Sequence, residues 1–231
     1  MPFPDLPVRL REVRDRIDAA ARRGGHGQTV TIVAVTKTHG CDAVEAAASA
    51  GVGDVGENRV QEALPKMDAV GHTVGASLRW HLIGHLQRNK VKALSRFELL
   101  QSLDSSRLAD AVSEFGVAEH NVVDVLMQVN VVGEVTKGGF ERSEWGTEAE
   151  RMLALRGTHV RGVMTMAPFD ADERTLRTVF SGARDARDLL RAAGHEATEL
   201  SMGMSTDYEV AVEEGATYVR LGTILFGARS A

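Results

Sequence analysis

One cysteine, Cys41, is all the thiol the 231-residue chain has, which rules out an internal disulfide and fits a reducing compartment. An excess of positive charge is also lacking. The 27 Lys and Arg stand against 32 Asp and Glu, a formal net charge of -5, which argues against a nucleic-acid binder acting through bulk charge. No uncharged apolar run is long enough to span a bilayer. Met1-Pro2-Phe3-Pro4-Asp5 has no basic region leading into an apolar one, so neither a membrane anchor nor a signal peptide is expected. A soluble, cytoplasmic protein is the expectation. Metal-ligand spacing is missing, and no Ser/His/Asp set stands out in chain order. Linkers, low-complexity stretches and fixed-period repeats are absent too. The 43% hydrophobic composition is therefore expected to fill one core, in a single α/β barrel domain over residues 1–231.

What is present is alternation. Leu6, Leu10, Val13, Ile17 and Ala20 recur at helical spacing through residues 6–23, and Gly24-Gly25-His26-Gly27 ends that helix. Short apolar runs read as strands at 31–37, 54–58, 79–84, 97–103, 122–131, 160–166, 197–202 and 216–221. Helical stretches fall between them at 42–50, 60–70, 87–94, 105–115, 143–155, 172–193 and 205–214, with a polar loop at 133–140 and a last turn at 222–227. Strand and helix in strict succession predict a parallel sheet with crossover helices. Eight strands match a closed (β/α) barrel of the TIM type, with an open doubly wound sheet as the alternative. In a closed barrel the first and last strands are neighbours, and functional groups gather at the carboxyl ends of the strands.

The first strand, Thr31-Ile32-Val33-Ala34-Val35-Thr36-Lys37, is an apolar, β-branched run that stops at a lysine. Alternation puts Lys37 on the face of Val35, Val33 and Thr31. An amine emerging from an apolar wall is expected to have a lowered pKa and to act as a nucleophile toward a carbonyl, forming a Schiff base. A lysine that merely ends a strand and reaches water is the plain alternative. The other notable motifs are Leu200-Ser201-Met202-Gly203-Met204-Ser205 and Val219-Arg220-Leu221-Gly222-Thr223. Each is a strand end running into a Gly- and hydroxyl-bearing turn and then a helix, an arrangement that suits a phosphate. Ser201, Gly203, Ser205, Gly222 and Thr223 are the candidate contacts, with ordinary capping by Ser205 and Thr223 as the alternative. Arg220, facing inward, would be a fixed cation near Lys37; facing outward, a rim residue. Asn58 ends the second strand, and His81 and His85 flank the end of the third. His81 reads as a satisfied barrel residue, Trp80 as core, Cys41 as a packed helix-start residue, and Lys137 as solvated, with a second amine near the site as its alternative. Arg88, Lys90, Lys92 and Arg96 read as a solvated face. Gly51-x-Gly53-x-x-Gly56 follows a helix and enters a strand, the reverse of the dinucleotide fingerprint, and is set aside.

Several stretches together resemble the pyridoxal phosphate homeostasis (YggS-like) family, whose fold is similar to the barrel domain of alanine racemase. They are Val33–Lys37, Gly56-Glu57-Asn58-Arg59-Val60-Gln61-Glu62, Trp80-His81-Leu82-Ile83-Gly84-His85-Leu86-Gln87-Arg88-Asn89-Lys90, Leu200-Ser201-Met202-Gly203-Met204-Ser205-Thr206-Asp207, and the run from Val219 to Gly227. The resemblance implies that Lys37 holds pyridoxal 5'-phosphate as an internal aldimine. It implies that Ser201, Gly222 and Thr223 take the phosphate, that Arg220 faces the pyridine nitrogen, and that Asn58 lies near the ring. It implies a carrier or regulator of the cofactor without catalytic residues, meeting apo-enzymes transiently. An open top face with no obvious interface suggests a monomer. An arginine does not give up its proton, so the pyridine nitrogen facing it stays unprotonated and the ring is a weaker electron sink. The two tyrosines of the sequence, Tyr208 and Tyr218, lie inside barrel motifs, and no counterpart is expected of the second, β-rich domain that gives alanine racemase a catalytic tyrosine. The competing expectations are a racemase or related amino-acid enzyme with a barrel-only site, and an aldolase using Lys37 without cofactor.

Overall fold

The computed structural model describes residues 2–70, 74, 77–134 and 137–227. Its frame is a ring of eight parallel strands: β1 (Thr31–Val35), β2 (Asp54–Glu57), β3 (Arg79–Leu82), β4 (Leu99–Leu103), β5 (Val123–Asn130), β7 (Thr158–Met164), β8 (Glu199–Ser201) and β9 (Tyr218–Leu221). They run β4-β3-β2-β1-β9-β8-β7-β5, and the β4–β5 pairing closes the ring. The barrel, rather than the open sheet, is the fold. A ninth strand, β6 (Phe140–Glu141), pairs with the end of β5 outside the ring, where only polar loop was expected.

Helices α1 (Leu6–Gly24), α2 (Cys41–Ser49), α3 (Val60–Ala69), α4 (Ser106–Ala118), α5 (Trp145–Met152), α6 (Glu173–Ala193), α7 (Tyr208–Glu213) and α8 (Thr223–Phe226) wrap the outside. Residues Arg88–Arg96 form a 3-10 helix. The α1 stripe is buried as its spacing predicts: Leu6, Leu10, Val13, Ile17 and Ala20 are all shut from water, and α1 packs on α7 and α8. These side chains belong to the main core, between the helices and the outer faces of the strands. Each fully buried Leu or Ile contributes about 1.5–3 kcal/mol there. Real starts justify real caps: Asp172 accepts the N–H of Thr175 at 2.8 Å and opens α6. Ser105 stands at the N-cap of α4 but turns its hydroxyl to Asp104 instead.

Alternation along each strand sends one set of side chains to that outer core and the other inside. The inside holds a small apolar cluster, Leu99, Leu126 and Met164, with Met166 and Tyr218 packed on it. Beside it lie the buried polar side chains His81, Gln101, Ser201 and Arg220. Register fixes their heights: Val33 is level with Asp54 on one side and Arg220 on the other, and Gly56 is level with His81.

Candidate functional site

Strand β1 stops at Val35, two residues earlier than its composition predicts. Thr36 still gives its N–H to Gly56 at 3.2 Å, so the chain stays extended for one more residue. Lys37 then enters a turn, half-buried. The turn is strained: Thr38 has φ +67°, a left-handed conformation that a β-branched residue rarely adopts. His39 closes it by donating its N–H to Thr36 at 3.0 Å. The ring of His39 packs with Phe3 and Phe226, at centroid distances of 5.6 and 5.4 Å. The turn after Lys37 is thereby pinned to helix α8, which follows Arg220.

Behind Lys37, on the helix side of the sheet, lies a buried ion pair. Lys66 of α3 donates to Glu57 at 2.6 Å and to the Thr36 carbonyl at 2.8 Å, and Thr36 gives its hydroxyl to the same Glu57 oxygen. Glu57 is fully enclosed and the Lys66 side chain is only 11% exposed. The pair ties α3 to the ends of β1 and β2, from which Lys37 and Asn58 continue. Glu57 and Lys66 did not stand out in the sequence as a pair, because it is the turn from β2 into α3 that folds the helix back and brings them together.

The two turns that suit a phosphate do meet. Arg220 gives its backbone N–H to the Gly203 carbonyl at 2.9 Å, and Ser205 accepts the N–H of Ile224 at 3.3 Å. Gly203 has φ +91°, and a Cβ there would lie 2.7 Å from that of Ala211, so only glycine lets the turn fold onto α7. Gly222 lies against Val35, two residues before Lys37. Thr223 is exposed at the first position of α8. Asn58 sits just past β2, and its backbone is close enough to Gly84 that a Cβ on Gly84 would lie 2.4 Å from the Asn58 carbonyl oxygen.

Arg220 faces inward. It is 5% exposed, donates to Ser201 Oγ at 2.6 Å and to the Thr165 carbonyl at 2.8 Å. Burial pushes the guanidinium down to about 10, against the pull of the Asp207 charge, so it remains a cation at neutral pH. Ser201 is fully buried and donates its hydroxyl to Gln101 Oε1 at 2.6 Å. Asp207 caps the β8 turn by accepting the Met204 N–H. Burial pushes its carboxyl up, opposed by that hydrogen bond and by the charges of Arg220 and Lys137.

Of the histidines, His81 is the satisfied barrel residue expected, bonded to Asp54 and Gln101 at 2.9 Å each. His85 is exposed and paired with Asp104 at 2.6 Å. The expectation of a solvated Lys137 is corrected: its amine donates to the Ala167 carbonyl at 2.8 Å and pairs with Glu134 at 2.7 Å, bridging the β5–β6 and β7–α6 loops. Gln101 and Thr165 were missed. The signal for Gln101 was a polar pair, Gln101-Ser102, set among the leucines of a fully buried strand. Among the described residues no three acidic, His or Cys side chains are grouped to hold a metal. No described helix is long and apolar enough to cross a membrane.

Comparison with known proteins gives one consistent set of relatives. The family model of the alanine racemase N-terminal domain matches residues 8–230. The pyridoxal phosphate homeostasis protein of Aquifex aeolicus is 42% identical over 224 residues, 96% of this chain and 97% of that one. PipY of Synechococcus elongatus, solved with PLP bound, is 33% identical with a TM-score of 0.85, covering 96% of this chain and 100% of that one. Alanine racemase from Corynebacterium glutamicum shares the fold, at 18% identity and TM-score 0.70, over 94% of this chain and 61% of its own.

Proposed function

The chain belongs to the alanine racemase N-terminal domain family, and from that membership we propose that it binds pyridoxal 5'-phosphate in the mouth of the barrel and serves the homeostasis of that cofactor. Supporting the reading are a 42% identical relative named a pyridoxal phosphate homeostasis protein and a 33% identical relative solved with the cofactor bound. The donor set fits the group: an amine at the end of β1, a buried guanidinium on β9, and two adjoining turns rich in glycine and hydroxyls. Bound there, the cofactor supplies an aldehyde for amines and a conjugated ring that draws electrons.

In this reading Lys37 holds the aldehyde carbon. Gly203, Gly222, Thr223 and the Ser201 strand end surround the phosphate, and Asn58 borders the ring. Arg220 faces the ring nitrogen. The observation that carries the reading is Arg220: a buried cation with two fixed acceptors cannot take a proton or surrender one near neutral pH. It holds a ring nitrogen in its unprotonated form, which weakens the electron withdrawal that racemases and related enzymes exploit. Binding without rapid turnover follows, in a cytoplasmic, monomeric, single-domain protein that passes its cofactor to apo-enzymes.

The test is to load the protein with the cofactor, record its visible absorbance, reduce it with borohydride and identify the labelled peptide. Label on Lys37, and a colourless Lys37→Ala variant, are expected. Label on another lysine would overturn the site. Transfer of cofactor to an apo-enzyme is expected. Rapid wash-in of solvent deuterium at the α-carbon of an added amino acid would instead make the protein an enzyme.

A further inference from the structure

Arg220 is the first link in a chain of hydrogen bonds that crosses the barrel, and each link is dictated by the one before. A guanidinium has donors only, so Arg220 must donate to Ser201 Oγ, at 2.6 Å. A serine hydroxyl has one proton, and Ser201 spends it on Gln101 Oε1, also at 2.6 Å. That fixes the Gln101 amide with its nitrogen toward His81 Nδ1, 2.9 Å away. An amide nitrogen only donates, so Nδ1 accepts and the imidazole proton sits on Nε2. Nε2 then donates to Asp54 Oδ1 at 2.9 Å. Asp54 is gripped by Arg79 through Nε at 2.8 Å and Nη2 at 2.6 Å. Five strands, β9, β8, β4, β3 and β2, supply the links, and Ser201, Gln101, His81 and Asp54 are all buried. The donors all point one way, from Arg220 toward the Asp54 carboxylate.

We propose that Ser201, Gln101, His81 and Asp54 are positioning residues that set the Arg220 guanidinium against the cofactor ring. In this arrangement Ser201 acts on the cofactor through Arg220 and does not give its hydroxyl proton to the phosphate. This departs from the role the family resemblance implies for Ser201, and it rests on the reading that pyridoxal phosphate binds with its ring nitrogen at Arg220. Gln101 is the middle link, because its amide oxygen accepts from Ser201 and its amide nitrogen faces His81, so it orients both neighbours.

The test compares pyridoxal 5'-phosphate with pyridoxal, which lacks the phosphate, on wild type, Ser201→Ala, Gln101→Leu and Thr223→Ala. A lost phosphate contact weakens only the phosphorylated ligand, whereas a misplaced Arg220 weakens both. Ser201→Ala and Gln101→Leu are expected to weaken both ligands by a similar factor, about tenfold, and to move the visible band alike. Thr223→Ala is expected to weaken the phosphorylated ligand alone. Selective loss of the phosphorylated ligand in Ser201→Ala would overturn the proposal, as would a Gln101→Leu protein with wild-type band and affinities. Should Gln101→Leu not fold, nitrogen NMR of the wild type decides: His81 is expected as the Nε2–H tautomer, with its ring signals shifting when pyridoxal 5'-phosphate is added. A different tautomer or unmoved signals sink the proposal while a coloured complex leaves the cofactor reading standing. A wild type that binds neither ligand defeats both.

Discussion

Asp54 concentrates the electrostatics of the barrel interior on one side chain. Burial by itself raises a carboxyl's pKa, but the hydrogen bonds from His81 and Arg79, together with the Arg79 charge, outweigh it and hold Asp54 below its ordinary value. A carboxylate held low stabilises the fold at any pH above its unfolded value, about 3.9. That contribution is lost as pH falls through the lower folded value. Asp54→Asn is therefore expected to cost about 1–3 kcal/mol near neutrality, and the gap to wild type should close in acid. Urea midpoints measured over a pH series would reveal it, and a gap that stays constant into acid would show that Asp54 does not titrate in this way. At this scale the sequence was legible wherever a residue's neighbours are local or lie on one strand. The inward face of Arg220 became certain only once its partners, Thr165 and Ser201, were seen. Gln101 stayed silent because its partner Ser201 is 100 residues away. The strain at Thr38 left no mark on composition either, since a threonine after a lysine looks like any turn.

Helix α3 shows how one element holds a site it does not enter. Lys66 reaches back from it to Glu57 and to the carbonyl that precedes Lys37. Removing one member of a buried pair strands the other, so Lys66→Met is expected to cost about 3–5 kcal/mol. Replacing both, as Lys66→Met with Glu57→Leu, should return most of that loss, and a double-mutant cycle by urea unfolding measures the coupling. Additive losses would mean that the two charges act independently. Helix α8 is anchored differently, by the Phe3, His39 and Phe226 rings. Phe226→Ala is expected to cost about 3–5 kcal/mol and to weaken pyridoxal phosphate by loosening the turn behind Lys37, as cofactor titration would register. A variant equally unstable but with wild-type affinity would separate the ring cluster from the site. Element type was readable from hydrophobic period, as the α1 stripe shows. Element ends were not: β1 ends at Val35 because the chain bends at Lys37, and residues 88–96 tighten into a 3-10 helix although their spacing suits an α-helix.

For the molecule as a whole, a ligand that binds only the folded barrel must raise its melting point. At a hundredfold excess over its dissociation constant, pyridoxal 5'-phosphate is expected to add about 2.7 kcal/mol, or about 5–10 °C for a chain of this size. Calorimetry should find the shift abolished by Lys37→Ala, and a shift that survives that change would place the binding elsewhere. The barrel itself was the most legible feature, since alternation of strand and helix is written into every segment. Its closure was inferred from number alone, and β6 went unread because two residues carry no period. Closure has one more consequence. Strand β9 seals the cylinder against β1 and also carries Arg220, so the earliest-made strand must wait for the last. A growing polypeptide on the ribosome displays Lys37 long before Arg220 and the paired turns exist. Nascent chains halted ahead of β9 should therefore stay colourless in the presence of the cofactor, and loading becomes an event that follows translation.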